Sequence, residues 1–135
     1  MAREQPCNRA VTQGRLQRAR AFMEAAELVE DLVAGDDQAE ADLGASLVTL
    51  WVHAGIAASD VICCVRLGRH HVGQDHNGAK SLLRAADKGS ETPLGRLLKL
   101  KTPVGYGHRL VSAKDRLAAK RAAETLVERA AEVFY

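Results

Sequence analysis

Residues 38–67 form one helical stretch that is apolar on most of its sides from Leu47 onward, interrupted chiefly by His53, Asp60 and Arg66. A helix of that kind cannot turn a broad face to water, so other helices or a second copy of the chain must surround it. Its polar breaks leave no clean 18-residue apolar span, and a membrane crossing is not expected. Around it, 135 residues provide enough chain for a single core. The 23 alanines, 3 prolines and 4% aromatics favour helix over sheet.

The flanking segments carry helical periodicity and punctuation. Leu16, Ala19, Phe22, Met23, Ala26, Leu28, Val29, Leu32 and Val33 recur at spacings of three and four, predicting a core-facing first helix that stops at Gly35. Gly68 ends the second helix, and residues 69–74 read as a loop. Asp75 is placed to cap a short third helix over 76–88, with Ala79, Leu82, Leu83 and Ala86 at core spacing. Thr92-Pro93 restarts a helix to Lys101. Residues 102–108 read as an irregular glycine-rich segment. Ser112 then opens a last helix through Leu117, Ala118, Ala122, Leu126, Val127, Ala130 and Val133. The expected fold is all-α, an up-and-down four-helix bundle with a broken third helix. Residues 1–10 read as a flexible N-terminus and 11–135 as the domain.

The opening MAREQPCNRA has no apolar core of a secretory signal. Three cysteines are present, and the neighbours Cys63 and Cys64 point about 100° apart on a helix, so they form no ordinary disulfide with each other. With no CxxC pair, a thiolate zinc site is not expected. The reading is a reduced, cytoplasmic protein with Cys63 and Cys64 as small core residues.

The net charge of +2 hides an asymmetry. Residues 1–44 hold 5 basic and 9 acidic groups, whereas 76–135 hold 12 basic and 6 acidic. Residues 96–121 carry Arg96, Lys99, Lys101, Arg109, Lys114, Arg116, Lys120 and Arg121 against Asp115 alone. On one face these bases would attract phosphate; spread around the helices they would only solvate them. The opposed ends also permit docking of one on the other, or head-to-tail association.

Three constellations could carry chemistry. His70, His71, Asp75 and His76 have ligand chemistry suited to zinc or nickel, the alternative being a helix cap with solvated loop histidines. His53 and Asp60, seven residues apart, share a helix face, and a buried Asp60 requires a cationic or hydrogen-bonding partner. Lys101, Tyr106, His108 and Arg109 bring an ammonium, a phenol, an imidazole and a guanidinium to one helix junction, a set able to hold phosphate and move a proton.

Two segments resemble the HEPN family of small helical proteins. One is Ala57-Ala58-Ser59-Asp60-Val61-Ile62, followed by Gly73-Gln74-Asp75-His76-Asn77-Gly78-Ala79 and Leu82-Leu83. The other is Leu100-Lys101-Thr102-Pro103-Val104-Gly105-Tyr106-Gly107 with Val111-Ser112-Ala113, similar to the family's Arg-x-x-Ala-x-Tyr stretch and the helix after it. Together they cover roughly residues 39–132. The resemblance implies an RNA- or nucleotide-associated binding module in a toxin–antitoxin, defence or stress context. It also implies a homodimer through apolar helices and an antitoxin or other protein partner, with no membrane, metal or cofactor. Active members cut RNA without metal through an Arg-x4–6-His motif. Carried over, Lys101 stands for the arginine and His108 for the histidine, with His108 as general acid/base and Lys101 and Arg109 as phosphate ligands. Tyr106 and Asp60 would position them, and Arg96 and Lys99 would add substrate-binding charge. Lysine lacks arginine's bidentate fork and His108 follows Tyr106, so the module is expected to be catalytically weakened. Two alternatives remain: a metal-independent endoribonuclease using Lys101 and His108, and a structural bundle whose acidic first helix and basic last helix dock another protein.

Overall fold

In the computed structural model, which describes residues 3–135, the apolar stretch becomes a 31-residue helix, α2 (Asp37–Leu67), with Asp36 capping its start and Gly68, at φ +73°, ending it. Four other helices complete the core: α1 (Arg9–Val33), α3 (His76–Ala86), α4 (Glu91–Tyr106) and α5 (Ala113–Phe134). Strands β1 (Arg3–Pro6) and β2 (Arg69–Val72) pair antiparallel, Arg3 opposite Val72 and Pro6 opposite Arg69. The four-helix bundle with a broken third helix is therefore corrected to five helices plus a two-stranded ribbon.

The centre of α2 is enclosed by the rest of the chain. Val48, Trp51, Val52, Ala58, Val61 and Ile62 are buried against α1, α4 and α5, and each large side chain so buried stabilises the fold by roughly 1.5–3 kcal/mol. By length and composition α2 could cross a membrane, but most of its apolar window is buried inside the protein. Of the two covers the sequence allows for α2, other helices or a second copy, the helices of the same chain bury its centre. The closest approach is at Gly55, where a Cβ would overlap Leu97 Cδ1 of α4 and lie 3.2 Å from Leu126 Cδ1 of α5.

Several boundaries move, each for a local reason. The third stretch splits: a 3-10 turn over Lys88–Ser90 separates α3 from α4, and α4 begins at Glu91. Pro93 is accommodated in the first turn of α4, where its missing N–H has no intrahelical partner to lose. The expected irregular segment after Lys101 is instead helix as far as Tyr106, with Pro103 inside it. Leu100 and Val104 pack on the core on either side of that proline, and Gly107 N–H closes the last turn on the Pro103 carbonyl at 3.0 Å. Tertiary packing here outweighs the one hydrogen bond that proline forfeits. In α1 the buried stripe is Thr12, Leu16, Ala19, Ala26 and Val33; Leu28 and Leu32 lie outside it, Leu32 being 81% exposed. Leu117 of α5 is likewise mostly outside the core.

The N-terminal segment differs most. Met1 and Ala2 lie outside the described residues. Arg3–Pro6 pair with β2, Cys7 N–H donates to the Gly68 carbonyl at 3.0 Å, Asn8 caps α1, and Cys7 is disulfide-bonded to Cys64. The expectation of reduced core cysteines holds only for Cys63, which is free and buried. Neighbouring cysteines do not bond to each other, but one of them reaches a partner 57 residues away. Closing a loop of that length stabilises the fold by about 4 kcal/mol in the chain-entropy account.

Candidate functional site

Asp60 and Ser59 interrupt the most buried part of α2 with polar groups, and the fold resolves the two differently. Ser59 returns its hydroxyl to the Gly55 carbonyl one turn back, at 2.8 Å. Asp60 is answered from α1: Arg15 Nη2 and Nε both donate to its Oδ2, at 2.6 and 3.0 Å. The pair is asymmetric, the Asp60 side chain being 11% exposed and the Arg15 side chain 36%. Burial pushes the Asp60 carboxyl up from its ordinary value, against the charge and hydrogen bonds of Arg15 and the weaker pull of His70 and His71.

The two-stranded ribbon supplies the next layer. His70 Nδ1 lies 3.2 Å from the His71 carbonyl and 3.8 Å from Asp60 Oδ1. Two acceptors around one ring nitrogen favour the tautomer with the proton on Nδ1, which leaves Nε2 as an acceptor. His71 Nε2 is buried without a hydrogen-bond partner among the described residues.

These groups line a cavity of about 350 Å³ between α1, α2, β2, α3 and α4. Ile56, Leu94, Leu98 and Val72 give it apolar walls, while Arg15, Asp60, His70, His71, Asp75, His76 and Lys101 bring the ionisable groups. Lys101 Nζ donates to the neutral Gln74 Oε1 at 3.0 Å, and among the described residues it forms no ion pair. Asp75 caps α3 by accepting from Gly78 N–H at 3.1 Å, as the sequence reading had it. Among the described residues no three His, Cys, Asp or Glu side chains gather as a metal-ligand set.

Lys101 also borders a second groove of about 230 Å³, together with Thr49, His53, Val104 and Tyr106. His53 shares the α2 face with Asp60, about two helical turns away, and stacks on Phe22 with ring centroids 5.3 Å apart. Its pKa is lowered by burial first, then by the positive charges of Lys101 and Arg15.

The residues singled out in the sequence are only partly brought together. Lys101 and Asp60 line the main cavity, and Lys101 and Tyr106 the second groove. Tyr106 is 87% exposed at the end of α4. His108 and Arg109 lie in the exposed linker beyond α4 and line neither space. Arg96 and Lys99 project from exposed positions of α4. The basic run does not form one face: Lys120 pairs with Glu30 of α1 at 3.1 Å, and Arg116 donates to the Glu40 carbonyl at 2.8 Å. The opposed charges of the chain's two ends are thus partly joined within the molecule. Arg15 and Gln5 escaped the sequence reading. The signal for Arg15 was the requirement that a buried Asp60 find a cation, but nothing local indicated which one.

Comparison with family models and with curated proteins finds no match to this chain.

Proposed function

We propose that this protein is a HEPN-like binding module for the phosphate of a nucleotide or of single-stranded RNA, with the Lys101 cavity as its ligand site. The observation that carries the reading is the imbalance of partners inside that cavity. The Asp60 charge is met by Arg15 and that of Asp75 by the Gly78 amide at the start of α3, whereas among the described residues Lys101 hydrogen-bonds to the neutral Gln74 alone. Three histidines border the same space. An anionic group is the partner chemistry that Lys101 lacks, and the apolar walls suit a ring attached to it.

The volume, at the lower end of ligand pockets, suits one nucleotide and not a duplex. The exposed Tyr106 ring offers a stacking surface to a neighbouring base across Lys101. In this reading Arg109 attracts the polyanion from the linker without touching the bound phosphate, and His108 beside it also stays clear of the phosphate. That arrangement supports a binding role ahead of the endoribonuclease. The toxin–antitoxin, defence or stress setting, and the homodimer, enter this proposal through the HEPN resemblance alone.

Titration with adenosine monophosphate and with a labelled single-stranded RNA tests it. Lys101→Gln is expected to weaken both by fivefold or more and to reduce the salt dependence of RNA binding by about one charge. His108→Ala should leave monophosphate affinity within twofold. Absence of binding by the wild type at low salt, or unchanged affinity in Lys101→Gln, sinks the reading. RNA cleavage in EDTA that disappears in His108→Ala would favour the endoribonuclease.

A further inference from the structure

The ribbon bordering the cavity is held by a bond that can be broken without touching the cavity's own side chains. All four residues of β1 are exposed, and among the described residues β1 pairs with β2 alone. A two-stranded ribbon is marginal in water unless something else secures it. Here the Arg69–Glu4 ion pair at 2.6 Å ties β1 to β2, and the adjoining Cys7–Cys64 disulfide ties the chain just after β1 to the end of α2. From this ribbon Gln5, His70, His71 and Val72 form one wall of the cavity. On the far side of the disulfide a cleft of about 240 Å³ is lined by Cys7, Asn8, Arg9, Thr12, Cys64 and Phe134, among others, so both cysteines border an open approach. Cys7 is half-buried and Cys64 buried, so Cys7 is the more exposed half of the pair and the side from which a reductant approaches.

We propose that the Cys7–Cys64 disulfide is a reversible thiol–disulfide exchange site, reduced by a dithiol, that latches β1 along the edge of the cavity. A reductant thiolate attacks Cys7 Sγ, the Cys7–Cys64 bond breaks, and Cys64 leaves as a thiolate that takes up a proton. The reductant's second thiol then attacks its own sulfur in the mixed disulfide and releases Cys7. Two electrons and two protons pass to the protein, and the dithiol becomes a disulfide. Arg9, in the cleft, supplies a cation that favours the transient thiolate. Burial and the nearby Asp60 push the Cys63 thiol up to about 12, so it stays protonated and does not compete for either sulfur. Reduction frees β1, and the β2 wall loses its partner strand. Only the consequence for ligand affinity rests on the nucleotide reading; the latch itself does not.

The test compares oxidised wild type with wild type reduced by dithiothreitol in native buffer, followed by circular dichroism, hydrogen exchange and adenosine monophosphate binding. The expected result is reduction without denaturant, retained helical signal, exchange at Arg69–Val72 accelerated at least tenfold, and monophosphate affinity lowered fivefold or more. Cys7→Ser should match the reduced wild type in both buffers. A disulfide that is reduced only in denaturant overturns the proposal, as does exchange at Arg69–Val72 that stays within twofold on reduction. Faster exchange with no monophosphate binding to either form supports the latch and rejects the nucleotide reading.

Discussion

Replacing Arg15 with methionine keeps much of the side chain's apolar stem and removes the one cation that, among the described residues, is hydrogen-bonded to Asp60. The carboxylate would then remain in a site where it is 11% exposed, with His70 Nδ1 at 3.8 Å as its nearest substitute. Breaking a fully buried pair from one side destabilises by about 3–5 kcal/mol. Because Arg15 is 36% exposed and water reaches that end of the pair, the expected loss is smaller, about 2–4 kcal/mol at pH 7. For a chain of this size that lowers Tm by roughly 6–16 °C. The loss should shrink as pH falls. Burial already holds the folded-state pKa of Asp60 above 3.8, so the folded protein takes up this proton more readily than the unfolded chain. Asp60 therefore favours the folded state below its unfolded value and loses that contribution as pH rises through its raised value. Removing Arg15 moves the folded value further up and widens that window. Urea denaturation of wild type, Arg15→Met, Asp60→Asn and the double variant, at pH 7 and pH 5, measures each part. The double variant should recover most of the single Arg15→Met loss. A loss under 1 kcal/mol at pH 7, or a double variant as unstable as the sum of the singles, would refute the argument that Asp60 is a buried charge dependent on Arg15.

His53, held below its ordinary value of 6.5, should make stability fall as pH drops through 6.5 toward its lowered folded value, because the unfolded chain binds that proton first. His53→Phe should flatten the wild-type dependence of Tm between pH 7.5 and 5.5; an identical slope in both proteins counts against it. Gly55→Ala should destabilise by about 1–3 kcal/mol in urea denaturation, since Leu97 is fully buried and has little room to retreat; a neutral result would mean that α4 shifts freely against α2.

Much of the helical framework was legible because its signals are local. Apolar residues around nearly the whole circumference of α2 required enclosure. Gly68 supplied the left-handed stop, and Asp75 and Ser112 each cap the helix expected to follow. The number of helices was harder to read. The glycine-rich stretch after Lys101 reads as irregular, whereas the packing of Leu100 and Val104 carries α4 past Pro103 to Tyr106. Periodicity also placed Leu28 and Leu32 in the core, because spacing identifies an apolar set but does not fix how wide a stripe the neighbouring helices cover.

The site divides along the same line. From the sequence alone came the chemistry-bearing groups: Asp60 in an apolar helix, the histidines before α3, and Lys101 ahead of a glycine-rich segment. Tertiary structure decided which of them meet. It brought Arg15 from 45 residues away onto Asp60, set His70 and His71 on a strand beside it, and turned Lys101 toward the cavity while leaving His108 in the exposed linker. It also joined Cys7 to Cys64, a pairing that no spacing rule indicates. The physical reason is one of range. Caps, turns and helical faces are set by residues three or four apart, whereas ion pairs, disulfides and cavity walls depend on how whole helices pack, and many sequences with the same local pattern could pack differently.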